Sequence, residues 1–134
     1  MPALPSLNGR HALVTGAGSG IGAAVARALV AEGLRVTIAG RRREPLEALA
    51  EELGAANTHV AAGFDVTDAE AIAAGLAAAR ERFGPVSVLV NNAGEAPSAP
   101  FEKTTHEMWS HVMAVDLGGV FNVTQAVLPD LKAF

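Results

Sequence analysis

Leu13-Val14-Thr15-Gly16-Ala17-Gly18-Ser19-Gly20-Ile21-Gly22 is the stretch whose reading decides the fold. A short apolar run enters it, glycine fills every second place from Gly16 to Gly22, and a helical pattern leaves it. Glycine is needed where the backbone takes positive φ or where another group comes close. A strand, a glycine turn and a helix start together make a site for an anion. The first-turn N–H groups have no partner inside the helix, and the helix dipole favours negative charge there. Neither a Ser or Cys nucleophile nor a metal would call for these glycines. The dinucleotide fingerprint is met loosely, as Gly18-x-Gly20-x-x-Ala23. The same glycines would also serve a tight turn that only packs helix on strand, so the rest of the chain has to decide.

The 134 residues leave room for one domain, taken as 1–134 with residues 1–10 as a leader containing two prolines. Half of them are hydrophobic, enough for a sizeable core. A net charge of -4 argues against nucleic acid as a partner. There is no cysteine, so disulfides and thiolate metal sites are excluded, and no metal is expected. The N-terminus lacks the basic-then-apolar order of a signal peptide, and no apolar run reads as a membrane span. The expectation is a soluble, cytoplasmic protein with no membrane partner.

Around the glycine stretch, strands and helices alternate. Ala12–Val14 reads as a buried strand, and a helix follows from about Ser19 to Glu32 with Ile21, Val25, Ala28 and Leu29 on one face and Gly33 as its stop. Val36–Ala39 is the second strand. Glu44-Pro45 starts a second helix with the stripe Leu46, Leu49, Leu53, ended by Gly54. Thr58–Ala62 is a weaker third strand. Thr67-x-x-Glu70 reads as a capping box for a helix carrying Ile72, Leu76, Ala79 and Phe83, stopped by Gly84-Pro85. Val86–Val90 is the fourth strand. After a loop with Pro97 and Pro100, a second capping box, Thr104-x-x-Glu107, opens a long helix carrying Trp109, Val112, Met113, Val120, Val123 and Val127, with Pro129 near its end. Short apolar strands separated by helices imply an α/β fold, a three-layer doubly wound parallel sheet. Ligands of such sheets lie outside the carboxyl ends of the strands.

The chemistry is therefore sought at four strand ends. The first is the glycine turn, suited to a pyrophosphate. At the second, Gly40 stands where an acidic residue would bind the ribose 2′-OH of NAD, and Arg41-Arg42-Arg43 follow. A guanidinium offers a 2′-phosphate a planar fork of donors, so NADP(H) is favoured, with NAD(H) still possible. The third is Phe64-Asp65-Val66, where Asp65 can accept from an adenine amino group or act as a turn residue. The fourth is Asn91-Asn92-Ala93-Gly94, whose asparagines can brace neighbouring strands and whose Ala-Gly pair allows close approach.

Together the four ends resemble the short-chain dehydrogenases/reductases. Thr15-Gly16-Ala17-Gly18-Ser19-Gly20-Ile21-Gly22 is similar to that family's T-G-x-x-x-G-x-G turn, Asn91-Asn92-Ala93-Gly94 to its N-N-A-G motif, and Asp65 to its adenine-contacting aspartate. The resemblance runs from Arg10 onward. It implies a Rossmann fold of strand order 3-2-1-4 that breaks off after the long helix. It implies a nicotinamide cofactor, and hydride transfer between it and a small carbonyl or alcohol substrate. By the match, Gly16, Ser19, Gly20 and Ile21 hold the phosphates, Arg41 faces the adenosine ribose, and Asp65 and Val66 bracket the adenine. Asn92, Ala93 and Gly94 line the ribose and nicotinamide side, and Val115 touches the cofactor region. It also implies a homo-oligomer, dimer or tetramer, with the long helix in the contact.

Two departures qualify the match. Asp116 stands where the family places an asparagine that helps hold a water in a proton relay, and a carboxylate accepts where an amide also donates. Asp116 is the one catalytic candidate in the chain. The family's Ser and Tyr-x-x-x-Lys lie beyond residue 134, and the chain contains no tyrosine, so a cofactor-binding half or a non-catalytic NADP-binding module are both expected readings. His106 and His111 are read as solvated or capping residues, and Pro97–Phe101 as a loop near a substrate.

Overall fold

The computed structural model describes residues 6–134; Pro2 and Pro5 of the leader lie outside them. Four strands, β1 (His11–Thr15), β2 (Arg35–Ala39), β3 (Thr58–Ala61) and β4 (Val88–Val90), form one sheet in the order β3-β2-β1-β4. All three pairings are parallel, with Leu13 opposite Thr37 on one side and Leu89 on the other. Helices α1 (Gly20–Ala31) and α2 (Arg43–Leu53) cover one face. Helix α3 (Ala69–Phe83) covers the other with α5 (Gly119–Ala133), which follows α4 (His106–Met113).

The period-two rule sorts the core. Ala12 and Val14 of β1 point to the α1/α2 side with Val36, Ile38 and Leu46, while Leu13 points to the α3/α5 side with Ile72, Leu76, Val123 and Val127. Both faces are buried, which is why the strands read as nearly continuous apolar runs. Among the described residues, four polar ones are buried as well: Thr15, Thr37, Thr58 and His11. The His11 ring lies buried at the start of β1, 2.7 Å from Thr37 Oγ1 by Nε2 and 2.9 Å from the Gly84 carbonyl by Nδ1.

Several local expectations are corrected. The buried face of α1 is Gly22, Ala23 and Ala26, while Ile21 is 75% exposed and Ala28 is exposed. Only small residues fit, because α1 crosses so near the glycine turn that a Cβ on Gly22 would collide with the Gly16 carbonyl and the Asn92 amide. The cap of α3 is Asp68, whose Oδ1 accepts from the Glu70 and Ala71 amides; Thr67 instead donates its hydroxyl to Asp65. At α4 the cap is Thr105, and Thr104 bonds the Pro100 carbonyl. A side chain that can cap is drawn to whichever amide is open, so neighbouring Thr and Asp compete for the place.

β4 begins at Val88 rather than Val86, since the Val86 amide is taken by Asp130 Oδ2 at 3.0 Å. Pro129 lies inside α5. The carbonyl it deprives belongs to exposed Gln125, open to water, and Asp130 is gripped by Arg80 at 2.9 Å. The long helix is also not uniform: Ala114–Gly118 between α4 and α5 is π-helical. Taken together, His106–Ala133 is a 28-residue helical stretch, long and apolar enough by composition to cross a membrane, contrary to the reading of the sequence. Within the fold, its Val115, Val123 and Val127 pack into the core beside the sheet.

Candidate functional site: a groove at the carboxyl ends of the strands

The groove starts at the end of β1. Thr15 is buried there, and its Oγ1 accepts from the amides of both Asn92 and Ala93 at 3.0 Å. The Asn92 side chain returns a bond to the Gly16 carbonyl, also at 3.0 Å. The glycine turn and the end of β4 are thereby locked to each other. Gly16 has φ +62°, and a Cβ on it would lie 2.9 Å from Ala93 Cα, so glycine is required on both counts.

Past this lock, α1 opens on Gly20. Ser19 is its N-cap, yet its hydroxyl makes no capping bond, and no acidic residue stands in the first turn. The start of α1 thus faces the groove with backbone donors and a hydroxyl that has no hydrogen-bond partner among the described residues. Gly18 lies against Pro45, to whose ring a Cβ would come within 3.3 Å, a tight contact. This is the geometry of a diphosphate cradle, and the residues present fit such a group.

A cavity of about 370 Å³ is lined here by Ser19, Ile21, Gly40, Arg41, Asn92 and Gly94, among others. A second, of about 110 Å³, adjoins it and is lined by Arg41, Asp65, Val66, Ala93, Gly94 and Val115. Gly20 stands at the α1 start beside the first. The fold therefore brings the residues singled out at all four strand ends to one side of the sheet.

Asp65 is held by its own turn. Its Oδ1 accepts the Thr67 hydroxyl at 2.7 Å and the Thr67 amide at 2.9 Å, which together keep the carboxyl below the usual range. Oδ2 has no partner among the described residues and can accept from a ligand. The Val66 carbonyl accepts from the Asn122 amide at 3.0 Å, a brace from α5 that the sequence did not suggest.

The π-helical stretch is what delivers Asp116. Its extra residue per turn leaves Val115 buried and Asp116 turned toward the loop after β4, where Oδ1 accepts the Glu95 amide at 2.7 Å. Glu95 itself was not among the candidates. Its Oε1 is 2.7 Å from Arg41, and its Oε2 meets Nε2 of His111, which is therefore more than a solvated helix residue. The bond from His111 is the largest of the effects that keep the Glu95 carboxyl below its ordinary range, so it is ionised at neutral pH. Only the structure reveals this cluster, since its members are 54 and 16 residues apart in sequence. Among the described residues, neither His106 nor Pro97–Phe101 lines the two cavities, and Phe101 is 93% exposed.

Comparison with known proteins agrees with the geometry. The family model for short chain dehydrogenase matches residues 10–133. Gluconate 5-dehydrogenase of Gluconobacter oxydans is 40% identical over 127 residues, covering 94% of this chain and 50% of the relative. Galactitol 2-dehydrogenase (L-tagatose-forming) of Cereibacter sphaeroides is 47% identical over 122 residues, 90% of this chain and 46% of the relative. A crystal structure of 3-ketoacyl-(acyl-carrier-protein) reductase from Brucella melitensis complexed with NADH superposes with a TM-score of 0.89 at 32% identity, covering 96% of this chain and 52% of that one. The chain thus spans about half the length of the curated relatives it matches. A parallel sheet of order 3-2-1-4, a glycine turn locked to Asn92 and a family match over nearly every residue lead to one conclusion: this chain belongs to the short-chain dehydrogenase family.

Proposed function

We propose that this chain is the cofactor-binding half of an NADP-dependent oxidoreductase acting between a ketone and a secondary alcohol. The observation that carries the reading is the end of β2, where Arg41 lines the groove and Gly40 stands in place of the acidic residue that would bind a ribose 2′-OH. Gly16, Ser19, Gly20 and Ile21 hold the diphosphate with backbone donors and the Ser19 hydroxyl. Arg41 takes the 2′-phosphate. Asp65 Oδ2 accepts from the adenine amino group, with Val66 and Val115 forming the apolar wall of that subsite. Asn92, Ala93 and Gly94 line the nicotinamide side. A bound nicotinamide supplies or accepts the hydride. Asp116 orders solvent near it as an acceptor, and the proton donor comes from the part of the family's length that this chain does not span.

The apolar surface of α4 and α5 supports self-association, since Trp109, Leu117 and Phe121 are each 60% exposed or more. The second reading is a binding module without turnover, built on the same cofactor groove.

Titration of the purified full chain with NADPH and NADH by calorimetry tests cofactor choice. Arg41→Ala is expected to weaken NADPH about tenfold or more, the loss of one charge-assisted contact. An unchanged preference between the two cofactors would refute the phosphate role. Intact mass together with NADPH absorbance over a panel of ketones separates the two readings: oxidation supports the enzyme, and binding without oxidation at 13.6 kDa supports the module.

A further inference from the structure

The two cavities of the groove share Gly16, Gly40, Arg41 and Gly94. Three of these are glycines, so the one side chain common to both is that of Arg41. It leaves the end of β2 and reaches Glu95, beyond the end of β4, closing an ion pair at 2.7 Å. The pair therefore spans the groove across the sheet order β2-β1-β4. On the far side Glu95 is held by His111 of α4 through its second oxygen, and its backbone amide is held by Asp116 at 2.7 Å. The Glu95 side chain is 25% exposed, against 64% for Arg41, so the carboxylate is the more enclosed end of the pair.

We propose that Glu95 is a cofactor-selecting residue: it is a built-in carboxylate competitor on Arg41 that a ribose 2′-phosphate has to displace. The proposal rests on the reading of Arg41 as the phosphate contact. Two anions cannot both have the same guanidinium fork at full strength. When the phosphate arrives, Arg41 turns from Glu95 to it, and Glu95 stays with His111. Its negative charge then remains close to the phosphate, within a Debye length, and opposes it. NADH carries no 2′-phosphate and does not meet that repulsion. Glu95 thus lowers the preference for NADPH that Arg41 creates, and the pair sets an intermediate selectivity.

The test is a set of calorimetric titrations at one fixed salt concentration, with NADPH and NADH, on the unaltered protein, Glu95→Gln, Glu95→Ala and Arg41→Ala. Thermal melting checks that each is folded, and two replacements at 95 guard against the failure of one. Both Glu95 replacements are expected to tighten NADPH about tenfold and to raise the NADPH-to-NADH affinity ratio at least about threefold. That is the size expected from removing one nearby charge and one competing bond. Equal tightening of both cofactors, or no tightening of NADPH, overturns the proposal. Arg41→Ala separates the two levels of inference. If it lowers the ratio while the Glu95 replacements leave it unchanged, Arg41 keeps its role and Glu95 loses its own. If it leaves the ratio unchanged, the phosphate reading fails and the competitor role with it.

Discussion

At the scale of the residue, the groove depends on one hydroxyl. Thr15 Oγ1 accepts two amides of the loop after β4, and its own hydrogen points toward the Val90 carbonyl, 3.5 Å away. Thr15→Val keeps the shape and removes the acceptor, leaving two partly buried N–H groups unmatched. The expected loss is about 1–3 kcal/mol in a urea titration, with Thr15→Ser losing much less. Equal behaviour of the two variants would show that packing, not the hydroxyl, fixes the loop. Thr15 was legible as part of a motif. Its two partners were not, because they lie 77 and 78 residues away.

At the scale of the element, β1 and α3 meet through a histidine. The His11 ring packs edge-on against Phe83, with centroids 5.4 Å apart, and burial pushes its pKa below the ordinary 6.5. His59 is shifted the same way, by burial and then by the Arg82 charge. A base whose folded pKa is depressed binds fewer protons folded than unfolded just below its ordinary value. Stability is therefore held well above pH ~6.5 and falls as the pH drops through that value. Asp65, Glu95 and Asp130 are shifted down from ordinary values of 3.8 to 4.5, so their contribution is lost only at lower pH. Denaturant midpoints measured from pH 7.5 to 5 are expected to decline below ~6.5, and His11→Gln to flatten that decline. A flat profile in the unaltered protein would contradict the burial argument.

At the scale of the whole molecule, one surface stands apart from the rest. Trp109, Met113, Leu117, Val120 and Phe121 line an apolar face across α4, the π-helical stretch and α5. β4, one of the two edge strands of the sheet, lies beside these helices. Exposed apolar area of this kind drives association. Light scattering on the purified chain is expected to give a mass above the 13.6 kDa of one copy. Leu117→Glu with Phe121→Lys is expected to bring the mass down while leaving NADPH binding in place. A monomer at micromolar concentration in the unaltered chain would refute self-association through this face.

The sequence by itself determined the layers, the parallel sheet and the glycine turn, because these follow from local periodicity and from backbone positions that only glycine can fill, while the strand order came only with the family resemblance. It located the residues at the strand ends for the same reason. Tertiary structure alone decided which threonine or aspartate caps each helix, where Asp116 points, and that Glu95 and His111 join Arg41. Those outcomes depend on competition between groups far apart in the chain for the same donor or acceptor. Such competition is resolved by distance in space, which a pattern of residues along one dimension does not carry.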